Sequence, residues 1–375
     1  MKTSFSVGIS TSIIRVNSVE AGALRIGVLA DSLMQHGVDV EFIVDRGTLQ
    51  RNYITAFRKE IKGSKGIDVD VIYVYTQNPT MSLLGDIIKH STDKKVINHI
   101  AAPSLDSLRS LRGLPVSWRT AYQILVNNKL WFRFSKRLAD AYIVNSGFQR
   151  DQLLDMNVPD DQVFVLPPLI DERRCVAKES DTAKHALNLD TRYSYVSYVG
   201  HFTAAKGVED LITAYKAISE EHPHSRLVLA WSGYGSRERI QKRIEMAGIE
   251  IKRIVWMGEV DVGTLLSAST VLVLPYRHYV GTTYPPNLVL EAICTGTPIL
   301  TTDVGCVSEY ITHGQDGYII PPRSPHDLEE GLNALLTNQE LRSYISTHQL
   351  EKSSRYYLNN SIHKYINLFE RIIQS

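Results

Sequence analysis

Cysteine is scarce in this chain: Cys175, Cys294 and Cys306 are all it has in 375 residues. Three is an odd number and the spacings are those of neither a metal knuckle nor a redox pair. A disulfide framework and a zinc module are therefore excluded, and a reducing cytoplasm is expected. No sign of charge dominates either. Lys and Arg number 41 against 40 Asp and Glu, a formal net charge of +1, which leaves no global field to draw in nucleic acid. No stretch approaches the roughly eighteen uninterrupted apolar residues that a membrane-spanning helix needs. The opening MKTSFSVGIST carries a lysine but no sustained apolar core before Ser10 and Thr11, so it reads as a first strand rather than a secretion signal. Neither GxGxxG nor GxxxxGK occurs, which argues against a dinucleotide oxidoreductase and a P-loop NTPase.

What is present is an α/β pattern. Short apolar runs alternate with segments of helical periodicity, as in parallel sheets covered by helices. In the first half the expected strands are Ser6 to Ile9, Val40 to Val44, Val71 to Tyr75, Val96 to Asn98 and Ala141 to Val144, with a helix from Leu24 to His36 stopped by Gly37. A second series begins at Tyr195 and continues through Arg226 to Trp231, Ile254 to Gly258, Val271 to Pro275 and Ile299 to Thr302, with a helix from Val208 to Glu221. The length exceeds one typical core. The expected division is a first Rossmann-like domain over 1–170, a linker over 171–194, a second Rossmann-like domain over 195–350 and a last amphipathic helix over 351–375. Two doubly wound domains facing each other across a cleft would place ligands beyond the carboxyl ends of the strands.

The chemistry concentrates in YPPNLVLEAICTGTPIL, Tyr284 to Leu300. Pro285 and Pro286 fix φ and bring no N–H, which suits a loop entering a helix, and Asn287 can cap the first turn. A helix start with unpaired N–H groups is a seat for a diphosphate. Glu291 lies one turn further in, among Leu288, Val289, Leu290, Ala292 and Ile293, and needs a partner. Ribose hydroxyls would serve, and so would an ordinary salt bridge. Through Pro286, Asn287, Leu288, Glu291, Ala292, Gly296, Thr297 and Pro298 this segment resembles the donor-site signature of retaining GT-B glycosyltransferases of the large glycogen-synthase-like group, the glycosyl transferases group 1. One departure matters: where that family usually carries a first Glu, eight residues ahead of the second, this chain has Thr283.

The resemblance continues in GHFTAAKGVEDLITAY, Gly200 to Tyr215, which is similar to the family's strand-to-helix turn. It implies that Lys206 meets the donor diphosphate and that Gly207 allows the close approach. Departure of a nucleoside diphosphate builds negative charge on the leaving oxygen, and a fixed ammonium would stabilise it without a metal. A lone Lys before a helix is otherwise a solvated surface cation. His201 stands where the family has Arg, and imidazole is charged at neutral pH only if neighbouring phosphates raise its pKa. Activity that falls at alkaline pH through loss of the His201 proton is expected on this reading, with Arg277 as another source of charge. Gly233 and Gly235 in LAWSGYGS make a weak signal, often no more than a turn. IVWMGEV resembles the segment whose backbone reads the nucleobase, with Glu259 and Val260 as the contacts.

In the first half, NSVEAGALRIGVLADSLMQHGVDVEFI resembles the family's glycine-rich opening, with Gly22 near the donor phosphate and Ala21 in place of the other glycine. His99, read as just past a strand end, matches a position where the family often has a His near the reacting sugar; a His there is otherwise structural. The resemblance implies same-face transfer in which the leaving phosphate takes the acceptor proton, so no nucleophilic carboxylate is required. It implies a nucleotide-sugar donor, a saccharide or lipid-linked saccharide acceptor, and neither metal nor cofactor. The region 109–137 interleaves Arg109, Arg112, Arg119, Lys129, Arg133, Lys136 and Arg137 with Trp118, Tyr122, Trp131, Phe132 and Phe134, without a single acid. Such a face can dock on the inner surface of a membrane or be an ordinary solvated helix pair. Two other functions compete. An inactive relative serving as a nucleotide-binding or scaffolding subunit would suit Thr283 and His201, and a nucleotide-sugar epimerase would share the two-domain form without needing Glu291 and Lys206 together.

Overall fold

The computed structural model describes residues 5–10, 21–43, 53–76, 84–101, 139–172, 175–279 and 285–375. The expectations for Thr283 and for 109–137 lie outside them. The chain divides into two compact units. The first comprises Met1–Ile170, Gly281–Pro285 and Tyr356–Ser375, the second Asp171–Val280 and Pro286–Arg355.

The first unit is built on β1 (Ser6–Ser10), β2 (Asp39–Phe42), β3 (Val71–Thr76), β4 (Lys95–Ile100), β5 (Ala141–Val144) and β6 (Val163–Val165), all parallel, in the order β2-β1-β3-β4-β5-β6. Its helices are α1 (Ala21–Gln35), α2 (Tyr53–Gly66), α3 (Leu84–Ser91) and α4 (Gly147–Asp155), with the last helix of the chain added below. β3 shows why the strands read as unbroken apolar runs. Every residue of VIYVYT is buried, because alternate side chains enter different cores on the two faces. Val71, Tyr73 and Tyr75 join Ile26, Leu29 and Leu33 of α1, whereas Ile72 and Val74 join Leu84 and Ile88 of α3 and Leu153 of α4. Gly37, at φ 82°, stops α1, as its spacing in the sequence requires.

The second unit contains α5 (Ser180–Ala186), β7 (Ser194–Phe202), α6 (Val208–Ile218), β8 (Ser225–Gly235), α7 (Arg237–Met246), β9 (Ile254–Met257), α8 (Val262–Ala268), β10 (Val271–Leu274), α9 (Asn287–Thr295), β11 (Ile299–Thr302), α10 (Val307–Tyr310), β12 (Tyr318–Ile320), α11 (Pro325–Thr337) and α12 (Gln339–Ser353). The sheet order is β12-β11-β10-β7-β8-β9. Counted from β7, that is the doubly wound order 6-5-4-1-2-3, and the direction of winding reverses between β7 and β10. The segment 171–194, expected as a linker, belongs to this unit instead. Its polar look is the exposed face of α5, while Ala183 and Leu189 are buried with Leu265 and Ala268 of α8.

The last helix, α13 (Leu358–Gln374), is part of the first unit. Ile362, Tyr365, Ile366, Phe369 and Ile372 recur at helical spacing and are buried with β3 and α1, and the Tyr365 hydroxyl donates to the Pro167 carbonyl at 3.0 Å. No described helix is long and apolar enough to cross a membrane.

Candidate functional site

At the carboxyl end of β7 the chain leaves the sheet through a kink. The register with β8 shifts between Gly200 and Phe202, Gly200 has φ 138°, and the Tyr198 hydroxyl donates to the His201 carbonyl at 2.6 Å. A single tight turn, Ala204–Lys206, then leads to Gly207 at φ 68°, the N-cap of α6. Only glycine fits there. A Cβ at Gly207 would lie 1.8 Å from the Pro275 carbonyl oxygen, because the chain leaving β10 runs directly over the turn. The Arg277 and His278 amides both donate to the Ala205 carbonyl, at 2.8 and 3.3 Å. The two chain segments on either side of the sheet's reversal point are thereby locked together, and this is where an open doubly wound sheet binds ligands.

Lys206 is carried into this junction and is only 8% exposed. Its Nζ lies 4.4 Å from the centre of the Tyr276 ring, a cation–π contact at the end of β10. Burial pushes its pKa down to about 7. Tyr276 is buried too, and burial together with the Glu291 charge pushes its phenol upward. The same two causes, in that order, raise the Cys294 thiol to about 12. Tyr276 thus links Lys206, on the turn after β7, with Glu291, on α9. Glu291 itself is half-buried one turn into α9. The helix begins at Asn287 after Pro286, with no side-chain cap and no acid in its first turn. Asn287 is therefore the first helical residue and not the cap expected from its side chain; Pro286, at φ −56°, takes that place. Leu288 is partly exposed beside it.

Two expectations about positive charge are corrected. His201 is held neutral: burial, and then the neighbouring Lys206, lower its pKa to about 4. Its ring packs 4.8 Å from that of Tyr234. Lys206, not His201, is the group poised near neutrality, so an alkaline fall in donor binding is expected to follow Lys206. Donor binding by His201→Gln is expected to keep the wild-type pH midpoint, because neutral imidazole and carboxamide have the same charge between about pH 6 and 9; loss of the midpoint in isothermal titration would return the role to His201. Arg277 does not serve as a spare cation. Its Nε and Nη2 grip the Asp210 carboxylate at 2.7 and 2.5 Å, and its Nη1 lies 3.5 Å from Glu209.

Glu259 and Val260 follow β9 on the outer edge of the sheet, two strands from β7. Glu259 is exposed, and Val260 packs against the core cluster that contains Tyr195, Val228 and Ala230. Gly22 lies in the first turn of α1 in the first unit.

His99 also lies in the first unit, and here the structure departs from the sequence reading. It sits inside β4, not beyond its end, and is 3% exposed. Asn145 donates through Nδ2 to the Leu166 carbonyl at 2.9 Å, so its Oδ1 faces His99 Nε2 at 3.1 Å and calls for an N–H there. The Nδ1 lone pair then accepts from the Tyr73 hydroxyl at 2.5 Å. Burial drives the pKa down to about 3. This is a neutral imidazole with both nitrogens engaged, a strand-to-strand tie rather than a group oriented toward a sugar.

Sequence reasoning missed Tyr276 and Asp210. The first follows a buried strand and a proline in VLVLPY, where a chain leaves a sheet; the second sits three residues beyond the glycine turn. Both have local signals, but only the fold puts Tyr276 against Lys206 and Asp210 against Arg277.

Residues 179–351 match the family described as glycosyl transferases group 1. Among curated proteins, an uncharacterised glycosyltransferase of Methanocaldococcus jannaschii is 28% identical over 198 residues, 50% of this chain and 48% of the relative. The alpha-D-kanosaminyltransferase of Streptomyces kanamyceticus is 26% identical over 219 residues, 56% of this chain and 54% of the relative. The matched region thus spans about half the length of these relatives. Among solved structures, HepE of Anabaena in complex with UDP and glucose superimposes with a TM-score of 0.76 at 15% identity, covering 98% of this chain and 100% of that one. At that identity the likeness establishes the fold, which is GT-B.

Proposed function

We propose, for a chain that belongs through residues 179–351 to the glycosyl transferases group 1, that it is a retaining, metal-independent glycosyltransferase using a nucleoside-diphosphate sugar. The observation that carries this reading is the junction of Lys206, Gly207 and Tyr276 at the reversal point of the second sheet, with Glu291 beside it. Burial holds this ammonium near neutrality; a diphosphate entering over the glycine turn would favour its charged form, and the developing charge on the leaving phosphate would draw on the same cation. The uncapped start of α9 adds N–H groups of the same sign. Glu291 would accept from the ribose hydroxyls, and the edge position of Glu259 and Val260 suits contact with the base. The acceptor would be a saccharide or a lipid-linked saccharide in glycoconjugate synthesis at the inner face of the membrane.

The test is ligand-induced stabilisation. Thermal melting across UDP, GDP, ADP and their sugar conjugates is expected to single out one nucleotide, by mass action on the native state, and UDP is the first choice because HepE binds it. Glu291→Ala should weaken that ligand about 10- to 100-fold, the worth of a hydrogen-bonded carboxylate. No shift with any nucleotide would sink the reading. A second reading, a nucleotide-binding subunit without turnover, draws on the neutral His201 standing where the family has Arg. It predicts the same shift but no transfer of labelled sugar to any acceptor in a cell extract.

A further inference from the structure

The turn that presents Lys206 is not rigid by itself. It is a single helical turn of three residues, Ala204–Lys206, between a kinked strand end and a glycine. What presses the β10 exit chain onto it is a contact from outside the turn. Arg277 reaches back across α6 and closes a two-pronged ion pair on Asp210, at 2.7 and 2.5 Å, with Glu209 at 3.5 Å. Glu209 is shared in turn with Arg239 of α7, whose Nε is 3.4 Å away. Arg277 also donates its backbone N–H to Ala205. The backbone of one residue therefore holds the turn while its side chain holds the first turn of the helix that follows. Tyr276, the residue before it, has its carbonyl fixed by the Thr302 hydroxyl at 2.6 Å. With its own carbonyl and the next residue pinned, the Tyr276 ring is held against the Lys206 ammonium.

We propose that the Arg277–Asp210 pair is a positioning clamp that sets the Lys206 ammonium over Tyr276 and thereby tunes the anion site for a diphosphate. The reading of the anion as a nucleotide diphosphate rests on the function proposed above; the clamp itself does not. Arg277 and Asp210 spend their charges on each other and touch no ligand in this scheme, so they act through Lys206. The pair is 21% and 12% exposed by side chain, which screens it little from its partners and makes the fork geometry worth more than a surface ion pair. The titratable and charged groups on the elements packed around Lys206 are His201 from β7, Glu209 and Asp210 from α6, Tyr276, Arg277 and His278 from the β10 exit, and Glu291 from α9. Breaking the clamp frees the β10 exit, admits water to the ammonium and removes the ring beneath it.

The experiment has two readouts. The first needs no ligand: the pH dependence of amine labelling at Lys206, followed by mass spectrometry of the purified full chain. Wild type should label with a midpoint near neutrality, and Arg277→Ala should shift that midpoint upward by about one pH unit or more as the ammonium gains water. The second is UDP affinity by calorimetry, expected to fall about tenfold in Arg277→Ala. Arg277→Lys, which keeps the charge but loses the fork, should fall between the two in both readouts. Asp210→Asn, nearly isosteric, serves as the second variant should Arg277→Ala not fold, with the same direction of change. A lowered melting temperature with an unchanged labelling midpoint would mean that the pair merely supports the fold, and would overturn the proposal. Failure of wild type to bind any nucleotide would defeat the function proposed above, while the labelling midpoint would still decide the clamp.

Discussion

Lys206→Met is expected to cut sugar transfer by about two to three orders of magnitude and, at the same time, to make the ligand-free protein more stable at neutral pH. The two effects have one cause. In the native protein the ammonium is buried and its pKa is about 7, against an ordinary value of 10.5. Between these values the unfolded chain holds a proton that the native chain has lost. Stability therefore rises with pH across this window, by up to about 1.4 kcal/mol per pH unit. Below pH 7 both states are charged and the burial penalty is complete. Methionine has similar length and no charge, so the penalty disappears, and melting at pH 6.5 should occur at a higher temperature than in wild type. Transfer should fall roughly 10²- to 10³-fold, the usual cost of deleting one group that stabilises a developing anion. A bound diphosphate favours the ammonium, so above pH 7 binding must take up a proton, and the wild-type Kd should weaken by up to about tenfold per pH unit. Turnover and melting measured from pH 6 to 9 on both proteins check the argument. Retained turnover would show that the cation is dispensable, and a lower melting temperature would show that it stabilises the fold.

Gly207→Ala should be the most damaging small substitution in the second unit. The left-handed φ of 68° costs an alanine about 1–2 kcal/mol by itself. The larger cost is steric, since the new methyl would sit 1.8 Å from the Pro275 carbonyl oxygen, and a backbone atom cannot swing aside as a side chain can. Opening the junction breaks the two bonds to the Ala205 carbonyl, each worth about 1 kcal/mol, and takes Tyr276 away from Lys206. A loss above about 4 kcal/mol is expected from urea unfolding, together with loss of nucleotide binding. Gly233→Ala is the control. Its φ is 88°, yet nothing lies within 4 Å of the added methyl, so it should lose only the conformational 1–2 kcal/mol. Equal losses in the two variants would mean that the close approach at Gly207 carries no energy.

Much of the scaffold could be read from local pattern. β5 and β11 coincide with their expected strands, and α9 falls where Pro285, Pro286 and Gly296 bracket it. These elements have one dominant local signal each: a buried apolar run, or a proline start and a glycine stop. Two short strands, Val163–Val165 and Tyr318–Ile320, carry only three residues each and owe their state to the neighbours that complete the sheets. The stretch 171–194 looked like a linker because α5 buries a narrow stripe, and composition averages over it.

The candidate site divides along the same line. By itself the sequence picked out the candidate residues, a lysine before a glycine turn and a glutamate one turn into a proline-led helix, along with a nearly balanced net charge and no transmembrane run. It also determined the alternating elements from which the sheets are built, since those depend on periodicities of two to four residues. Tertiary structure decided the charge states and the company kept. Whether His201 carries a proton, whether Arg277 is free to meet a ligand, and whether His99 faces a site or ties two strands together all depend on burial and on groups tens to hundreds of residues away. Local sequence carries no record of desolvation, and desolvation is what made Lys206, rather than His201, the titrating group of this site.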